Sequence, residues 1–217
     1  MVQNELERGA RQRPLLMLMD GHAMVYRAFY AIQYAMNLRS TGEEVKGVYG
    51  FTNTFLKSIS DWNPSHCAIA FDVKGPTFRH EEFAAYKAQR PHAPPDLQAQ
   101  FQFVKQVLEA FEVPIYEMKG YEADDVIGTI SPQAEQAGLD TIILTGDTDT
   151  LQLVSPQTRV LISYSAQQQK VFDEDAVRER YKGLGPEHIP DIKGLEGDTS
   201  DNIPGVPGSA RRGAARL

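Results

Sequence analysis

Three short apolar runs each close on an aspartate: LLMLM before Asp20, HCAIAF before Asp72, and TIILTG before Asp147. Runs of this length and continuity read as strands buried on both faces, the pattern of a parallel sheet with helices on either side. Sites in open α/β sheets form beyond the carboxyl ends of the strands. A carboxylate delivered there three times over therefore bears on both fold and function. VPIYE, residues 113–117, supplies a fourth strand, and TRVLISYS with QKVFD reads as a strand pair at the sheet edge.

The segments between the strands carry helical periodicity, which makes the expected class α/β: a mostly parallel central sheet flanked by helices. Leu97, Phe101, Val104, Leu108 and Phe111 form one apolar stripe over Asp96 to Phe111, and Val48, Phe51, Phe55 and Ile59 form another. These aromatics read as core. A third helix is expected from Glu122 to about Ala137, with Ser131-Pro132 predicting a kink or a restart capped by Ser131. An amphipathic helix follows near Glu174 to Tyr181. The organisation expected is a polar tail over 1–13, a core over 14–182, and from Gly183 to Leu217 a glycine- and proline-rich region of short helices joined by tight turns.

A chain of 217 residues can bury a substantial core. Cys67 is the single cysteine, so an internal disulfide and a thiolate metal cage are excluded; its apolar neighbours suggest a small buried hydrophobe. The run from Leu15 to Met19 is too short for a membrane span or a signal-peptide core, and Glu5 and Glu7 do not suit a targeting peptide, so a cytoplasmic location without membrane contact is expected. The net charge of -7, from 22 basic and 29 acidic residues, argues at first against a nucleic-acid partner.

The distribution of the acids reverses that objection. Asp20, Asp72, Glu122, Asp124, Asp125, Asp147 and Asp149 fall at strand ends or helix starts, and Asp198 and Asp201 lie in the glycine-rich region. Singly, each reads equally as a cap or turn former. Gathered at one sheet edge they raise one another's pKa and oppose folding, and divalent cations would resolve the conflict. Oxygen ligands without a Cys or His cluster favour Mg²⁺ or Mn²⁺ over Zn²⁺. Two such ions about 4 Å apart suit in-line cleavage of a phosphodiester. Helical spacing puts Glu122 and Asp125 on one face at i,i+3 with Asp124 pointing elsewhere. Setting these nine acids aside leaves 20 acidic against 22 basic residues, a slightly positive remainder.

MDGHAMVYRAFYA, AFDVKGPTFRHEEFAAYKAQR, GYEADDVIGT, LTGDTDTLQLV and GLEGDTSDNIPGVPG, in this order and spacing, resemble the 5′ nuclease domain of bacterial DNA polymerase I, a relative of the flap endonucleases, from about Leu15 to Gly208. The resemblance implies a PIN-like fold and a metal-dependent, structure-selective 5′ to 3′ exonuclease or 5′ flap endonuclease of replication and repair. All nine carboxylates match the family's metal-binding positions, with two or more Mg²⁺ or Mn²⁺ ions as the implied cofactors. The stretch of about 74–93 matches a helical arch through which a single-stranded 5′ end passes; Lys87 and Arg90 would contact the scissile phosphate with Arg79 nearby, and Tyr86 would face the strand. Fixed cations aimed at a reacting phosphate and aromatic faces for unstacked bases fit that chemistry. Read without the family, the same stretch is a solvated amphipathic helix. Tyr26 and Arg27 match positions near the substrate's 5′ region; packing of their helix is the plain alternative.

IPGVPG, with Gly205 and Gly208, matches a helix-turn-helix unit that grips duplex DNA, often with a monovalent cation such as K⁺. Glycine there lets backbone N–H groups approach phosphates. Beyond Gly208 the sequence departs from the family: Ser209, Ala210, Arg211, Arg212 and Gly213 stand where an apolar residue, a glycine, a basic residue and a threonine are expected, although Arg212 still fits. The family's domain continues for several more helices, so a C-terminally truncated, partial helix-hairpin-helix region is expected. The implied partner is DNA bearing a 5′ flap, nick or primer, in the nucleoid. A monomer working beside a separate polymerase is expected. The alternative is a catalytically weak or inactive DNA-binding fragment of the same family.

Overall fold

The computed structural model describes residues 13–164 and 168–207. Six strands form one sheet: β1 (Leu15–Asp20), β2 (His66–Phe71), β3 (Ile115–Glu117), β4 (Asp140–Thr145), β5 (Thr158–Ser163) and β6 (Gln169–Phe172), in the order β3-β2-β1-β4-β5-β6. The first five are parallel and β6 runs antiparallel to β5 at one edge. The chain steps from β1 outward through β2 to β3, then crosses back to place β4 on the other side of β1. This reversal puts the switch point at the carboxyl ends of β1 and β4.

Alternation along the strands splits the core in two. Leu15, Met17 and Met19 face α1 (Gly21–Ala31), α2 (Lys46–Trp62) and α4 (Pro95–Ala110), packing with Phe51, Phe71, Leu97, Val104 and Leu108. Leu16 and Leu18 face the other way, toward α5 (Ala123–Gln136), joining Ile127, Ile143, Val160, Ile162, Phe172 and Val177 of α6 (Glu174–Arg180). Every residue of β1 is buried, as a central parallel strand covered on both faces requires. Cys67, on the β2 flank, is only partly buried and packs against the first cluster as a small apolar group, with its thiol pushed up to about 11 by burial.

Several local expectations change. α5 runs unbroken through Pro132. The proline ring lies exposed, while Ala123, Ile127, Ser131 and Ala134 are buried along the opposite face, and that packing carries the helix across the missing N–H. Ser131 is thus a buried helical residue and caps nothing. Phe111 follows the last turn of α4 and is exposed, covering only the edge of Phe55. The arch stretch is not one helix: α3 (Phe78–Glu82) is a single capped turn closed by a Thr77–His80 capping box, and residues 84–89 continue as turns. Phe83 is extended, Lys87 adopts φ 52, and Pro91, Pro94 and Pro95 follow, so no helix can propagate there. After α6, a 3-10 turn at Pro186–His188 leads into α7 (Ile189–Glu196) and a tight turn bearing Asp198 and Asp201. Gly208 and the tail from Ser209 to Leu217, with Arg212, lie outside the described residues, as does the tail over 1–12.

That turn requires glycine at its first position. Gly197 has φ 72, and a Cβ there would lie 2.3 Å from the Gly205 nitrogen. Gly197→Ala is expected to lower stability by about 1–3 kcal/mol, since it combines backbone strain with overpacking. Urea unfolding followed by circular dichroism measures this, and an unchanged midpoint would contradict the packing described.

Candidate active site

Beyond the carboxyl ends of β1, β2 and β4 lies a cleft of about 650 Å³ lined by Asp20, Asp72, Glu122, Asp124, Asp147, Asp149 and Asp201. Seven of the nine carboxylates singled out in the sequence therefore share one cavity. Asp20 ends β1 and caps α1: its Oδ1 accepts the Ala23 N–H at 3.0 Å and its Oδ2 the Thr145 hydroxyl at 3.1 Å. It is buried, and burial pushes its carboxyl up to about 6, with the charges of Asp72 and Asp147 adding to the effect. Asp72 accepts the Ala123 N–H at 2.7 Å, which fixes it against the start of α5. Asp147 caps the 3-10 segment Thr148–Leu153 by accepting the Asp149 N–H at 2.9 Å.

Asp124 is the extreme member. It sits in the first turn of α5, and its Oδ1 is buried without a hydrogen-bond partner. Burial raises its carboxyl well above the usual range, followed by the charges of Asp20, Asp147 and Asp72, against which the pull of Lys87 is insufficient. The sequence spacing put Glu122 and Asp125 on one face with Asp124 elsewhere, and the structure keeps that pair together: Arg79 Nη1 lies 3.9 Å from Glu122 and 2.7 Å from Asp125, whereas Asp124 makes no such pair. Glu122 is the N-cap, in extended conformation, joined to Asp125 by a capping box. Asp125 turns back to accept the Glu122 N–H at 2.9 Å and takes a two-pronged bond from Arg79 at 2.7 and 2.8 Å. Burial alone would raise the Asp125 carboxyl, but these bonds hold it below its ordinary value. It does not line the cleft.

A second set of carboxylates already holds cations of the chain. Glu122 accepts Lys87 Nζ at 2.9 and 3.0 Å, Asp201 pairs with Arg90, and Lys193 of α7 bridges Asp149 at 2.5 Å and Asp198 at 3.2 Å. Burial favours protonation of Asp149, and the neighbouring Asp147 and Asp198 charges leave its carboxyl raised despite Lys193. Asp198 does not line the cleft; Ser200 and Lys193 overcome its burial and lower its carboxyl to about 2. Tyr86 also departs from expectation. It is buried, with its one hydroxyl proton shared between Glu122 and Asp201, each at 3.0 Å, so its ring is not a free stacking face. Arg79, Lys87 and Arg90 line the cleft but point at carboxylates.

Tyr26 lines the cleft between the Tyr30 and Phe101 rings. Arg27 points instead into an adjoining pocket with Tyr30 and Tyr164, its Nη2 donating to the Gly146 carbonyl at 3.3 Å. Gly205 packs against the end of α7, where a Cβ would lie 2.2 Å from the Glu196 carbonyl oxygen. Two residues that the sequence reading passed over matter here. His22 accepts the Asp72 N–H through Nδ1 at 3.0 Å and stacks on Phe101; burial lowers its pKa, so it serves as a neutral acceptor. Its signal was its place two residues after Asp20. Lys193 had none stronger than lying five residues before Asp198.

The donor set fits a hard divalent cation: oxygen ligands only, crowded enough to favour protonation, one oxygen orphaned. Among the described residues no three or more His, Cys, Asp or Glu side chains are already drawn together closely enough to hold an ion. The cleft gathers carboxylates without closing them into a finished cage.

Residues 15–182 match the family described as 5′-3′ exonuclease, N-terminal resolvase-like domain. DNA polymerase I of Chloroflexus aurantiacus is 47% identical over 207 residues, 94% of this chain and 22% of that protein. DNA polymerase I of Bacillus subtilis is 41% identical over 95% of this chain and 23% of its own length. The chain thus spans less than a quarter of the relatives it matches. Among solved structures, phage T5 5′-exonuclease with bound divalent zinc superposes with TM-score 0.73 at 20% identity, covering 93% of this chain and 73% of that one. The catalytic core of Rad2 with a DNA substrate superposes with TM-score 0.61 at 17% identity, covering 94% and 59%. These likenesses establish the fold.

The raised carboxyls of Asp20 and Asp124 carry a sign. A carboxyl whose folded pKa exceeds its unfolded value of about 4 stabilises the fold below that value and ceases to do so as pH rises. For Asp20 that loss runs up through about 6. Asp125 and Asp198 act oppositely, losing their contribution only as pH falls below about 4. Metal-free protein is therefore expected to melt highest near pH 4 and to lose stability toward neutrality, with Mg²⁺ restoring it. Asp124→Asn should raise the metal-free midpoint at neutral pH by roughly 2–4 °C, the shift that ~1 kcal/mol produces at this size, and should blunt the Mg²⁺ effect. Calorimetry with and without chelator checks both; a midpoint that climbs steadily to neutrality without metal would contradict the charge assignment.

Proposed function

This chain belongs to the family of 5′-3′ exonuclease N-terminal, resolvase-like domains, and from that premise we propose that it is a structure-selective 5′ to 3′ exonuclease and 5′ flap endonuclease. The reaction is hydrolysis of a phosphodiester in branched DNA, leaving a 5′-phosphate product. The observation that carries this reading is the carboxylate set at the switch point of the sheet, with Asp124 Oδ1 buried and unpartnered in a cleft that Asp20, Asp72 and Asp147 also line.

Those four residues, with Asp149 and the carboxylates Glu122, Asp125, Asp198 and Asp201 directly or through water, would hold two or more Mg²⁺ or Mn²⁺ ions. Such ions, when bound, neutralise charge on the reacting phosphate and acidify the attacking water. The chain's own contribution is positional. Thr145 and the Ala23 N–H lock Asp20, the start of α5 locks Asp72, and His22 holds the Asp72 backbone. Lys87 and Arg90, now on Glu122 and Asp201, stand at the cleft mouth where a phosphate would compete for them, with Arg79 behind. Fixed cations there stabilise negative charge that grows on the phosphate oxygens during displacement. Tyr26 offers a ring beside the scissile position and Arg27 a guanidinium in the adjoining pocket. The IPGVPG segment that holds Gly205 and Gly208, with K⁺ and Arg212, would grip duplex DNA.

The protein would act as a monomer in the cytoplasm on nucleoid DNA, beside a polymerase supplied by the same or a separate chain. Among the described residues no helix is long and apolar enough to cross a membrane.

Incubating the purified protein with a labelled 5′-flap duplex and Mg²⁺ is expected to release the flap as a 5′-phosphate-leaving cut near the junction. Asp147→Ala should abolish cleavage while DNA affinity in Ca²⁺ persists. Lys87→Ala should slow the single-turnover step about 10²-fold, the usual cost of removing one preorganised contact to a reacting group. Flap binding without turnover by the wild-type chain in both Mg²⁺ and Mn²⁺ would sink the nuclease reading in favour of a DNA-binding role.

A further inference from the structure

The carboxylates around the cleft divide by what neutralises them. Asp20, Asp72, Asp124 and Asp147 make no ion pair with a lysine or arginine among the described residues. The nearest basic group, His22, accepts the Asp72 N–H through Nδ1 and so carries no proton there. The Asp149–Asp198 pair differs. Lys193 Nζ lies 2.5 Å from Asp149 Oδ1 and 3.2 Å from Asp198 Oδ2, where it bridges oxygens from two separate elements.

A bridging ammonium between two carboxylates does what a cation in that position does: it cancels their repulsion and fixes their spacing. Both partners are themselves anchored. Asp198 accepts the backbone N–H groups of Ser200 and Asp201 through its other oxygen, and Asp149 opens the 3-10 segment capped by Asp147. Lys193 leaves from the last turn of α7, a helix closed by Gly197. The ammonium is thus held by the fold and is not a passing surface pair.

We propose that Lys193 is a built-in counter-ion occupying the place of a second divalent cation, so that the four carboxylates without an ion pair take one ion directly and a further ion at Asp149 and Asp198 must displace the lysine. This rests on the reading of the cleft as a divalent site. Lys193 is on this account a positioning residue that sets the order and relative affinity of ion uptake. It touches no reacting atom.

Mn²⁺ alone, titrated into DNA-free protein at neutral pH and followed by electron paramagnetic resonance of free ion, tests it. The wild type is expected to take one ion tightly and a second at least about ten-fold more weakly, the ratio set by evicting a unit charge. Lys193→Met, which keeps the side-chain length and removes the charge, should tighten the second ion about ten-fold with the first unchanged. Lys193→Arg should keep the wild-type pattern, and Lys193→Gln replaces the methionine variant if circular dichroism shows that one unfolded. Two ions of equal affinity in the wild type, or a second affinity unmoved or weakened in the neutral variants, would overturn the role of Lys193 while leaving the cleft as a metal site. No Mn²⁺ uptake by any form would overturn both, and flap cleavage, read separately, tests the nuclease reading alone.

Discussion

Mutual repulsion among carboxylates gathered at the end of a parallel sheet is the interaction on which the rest of this structure depends. Asp20 is buried at the end of β1, and the half-buried Asp124 has its Oδ1 shut away from solvent without a hydrogen-bond partner. Folding without a cation must either protonate these groups or accept their repulsion. Everything around them limits that cost without removing it. The Ala23 and Ala123 N–H groups and the Thr145 hydroxyl satisfy individual oxygens, but none carries a full positive charge. Asp20 and Asp72 are therefore compensated by dipoles, and Glu122, Asp149, Asp198 and Asp201 by ions.

That division follows from the chain's path. Strand ends at the switch point deliver Asp20, Asp72 and Asp147 from segments far apart in sequence, and the first turn of α5 adds Asp124 between them. Among the described residues, the lysine and arginine side chains that pair with these acids come from α3, the turns that follow it and α7. They end on Asp125, Glu122, Asp201, Asp149 and Asp198 and leave Asp20, Asp72, Asp124 and Asp147 with no such ion pair. The net charge of -7 is thus no measure of the surface a polyanion would meet, since seven of the acids gather in one cleft that the cations Arg79, Lys87 and Arg90 also line.

The strands and the acids were legible in the sequence because both rest on strong local rules. A buried parallel strand must be apolar throughout, so LLMLM and TIILT announce β1 and β4, and an aspartate just beyond such a run falls on the functional edge whatever the loops do. The errors arose where one residue's role is set by a distant partner. Arg79, from α3, claims the Asp125 carboxylate, so Asp125 does not line the cleft while Glu122 and Asp124 do. Pro132 failed to break α5 because Ile127 and Ala134 hold the helix on the sheet. Tyr86 reads as an exposed aromatic in an amphipathic pattern, yet Glu122 and Asp201 draw its hydroxyl inward. Lys193 looks like any helix-end lysine until α7 is docked on the 3-10 segment. Family resemblance supplied the set of site residues but not which of them carry charge and which are already paired.

The pairing of Lys87 with Glu122 and of Arg90 with Asp201 has a consequence for how ligands would act together on the proposed nuclease reading. A phosphate arriving alone must take these cations from their carboxylates and strand buried acids, and a divalent ion arriving alone must strand the cations. Arriving together, ion and phosphate exchange partners with all charges still satisfied: carboxylates turn to the ion and cations to the strand. Neither exchange is cheap by itself, so the two bindings are linked with positive sign, and by reciprocity each raises the affinity of the other by the same factor. Tyr86 strengthens the linkage, because its hydroxyl joins Glu122 to Asp201 and so binds both ion pairs into one network that opens or stays shut as a unit.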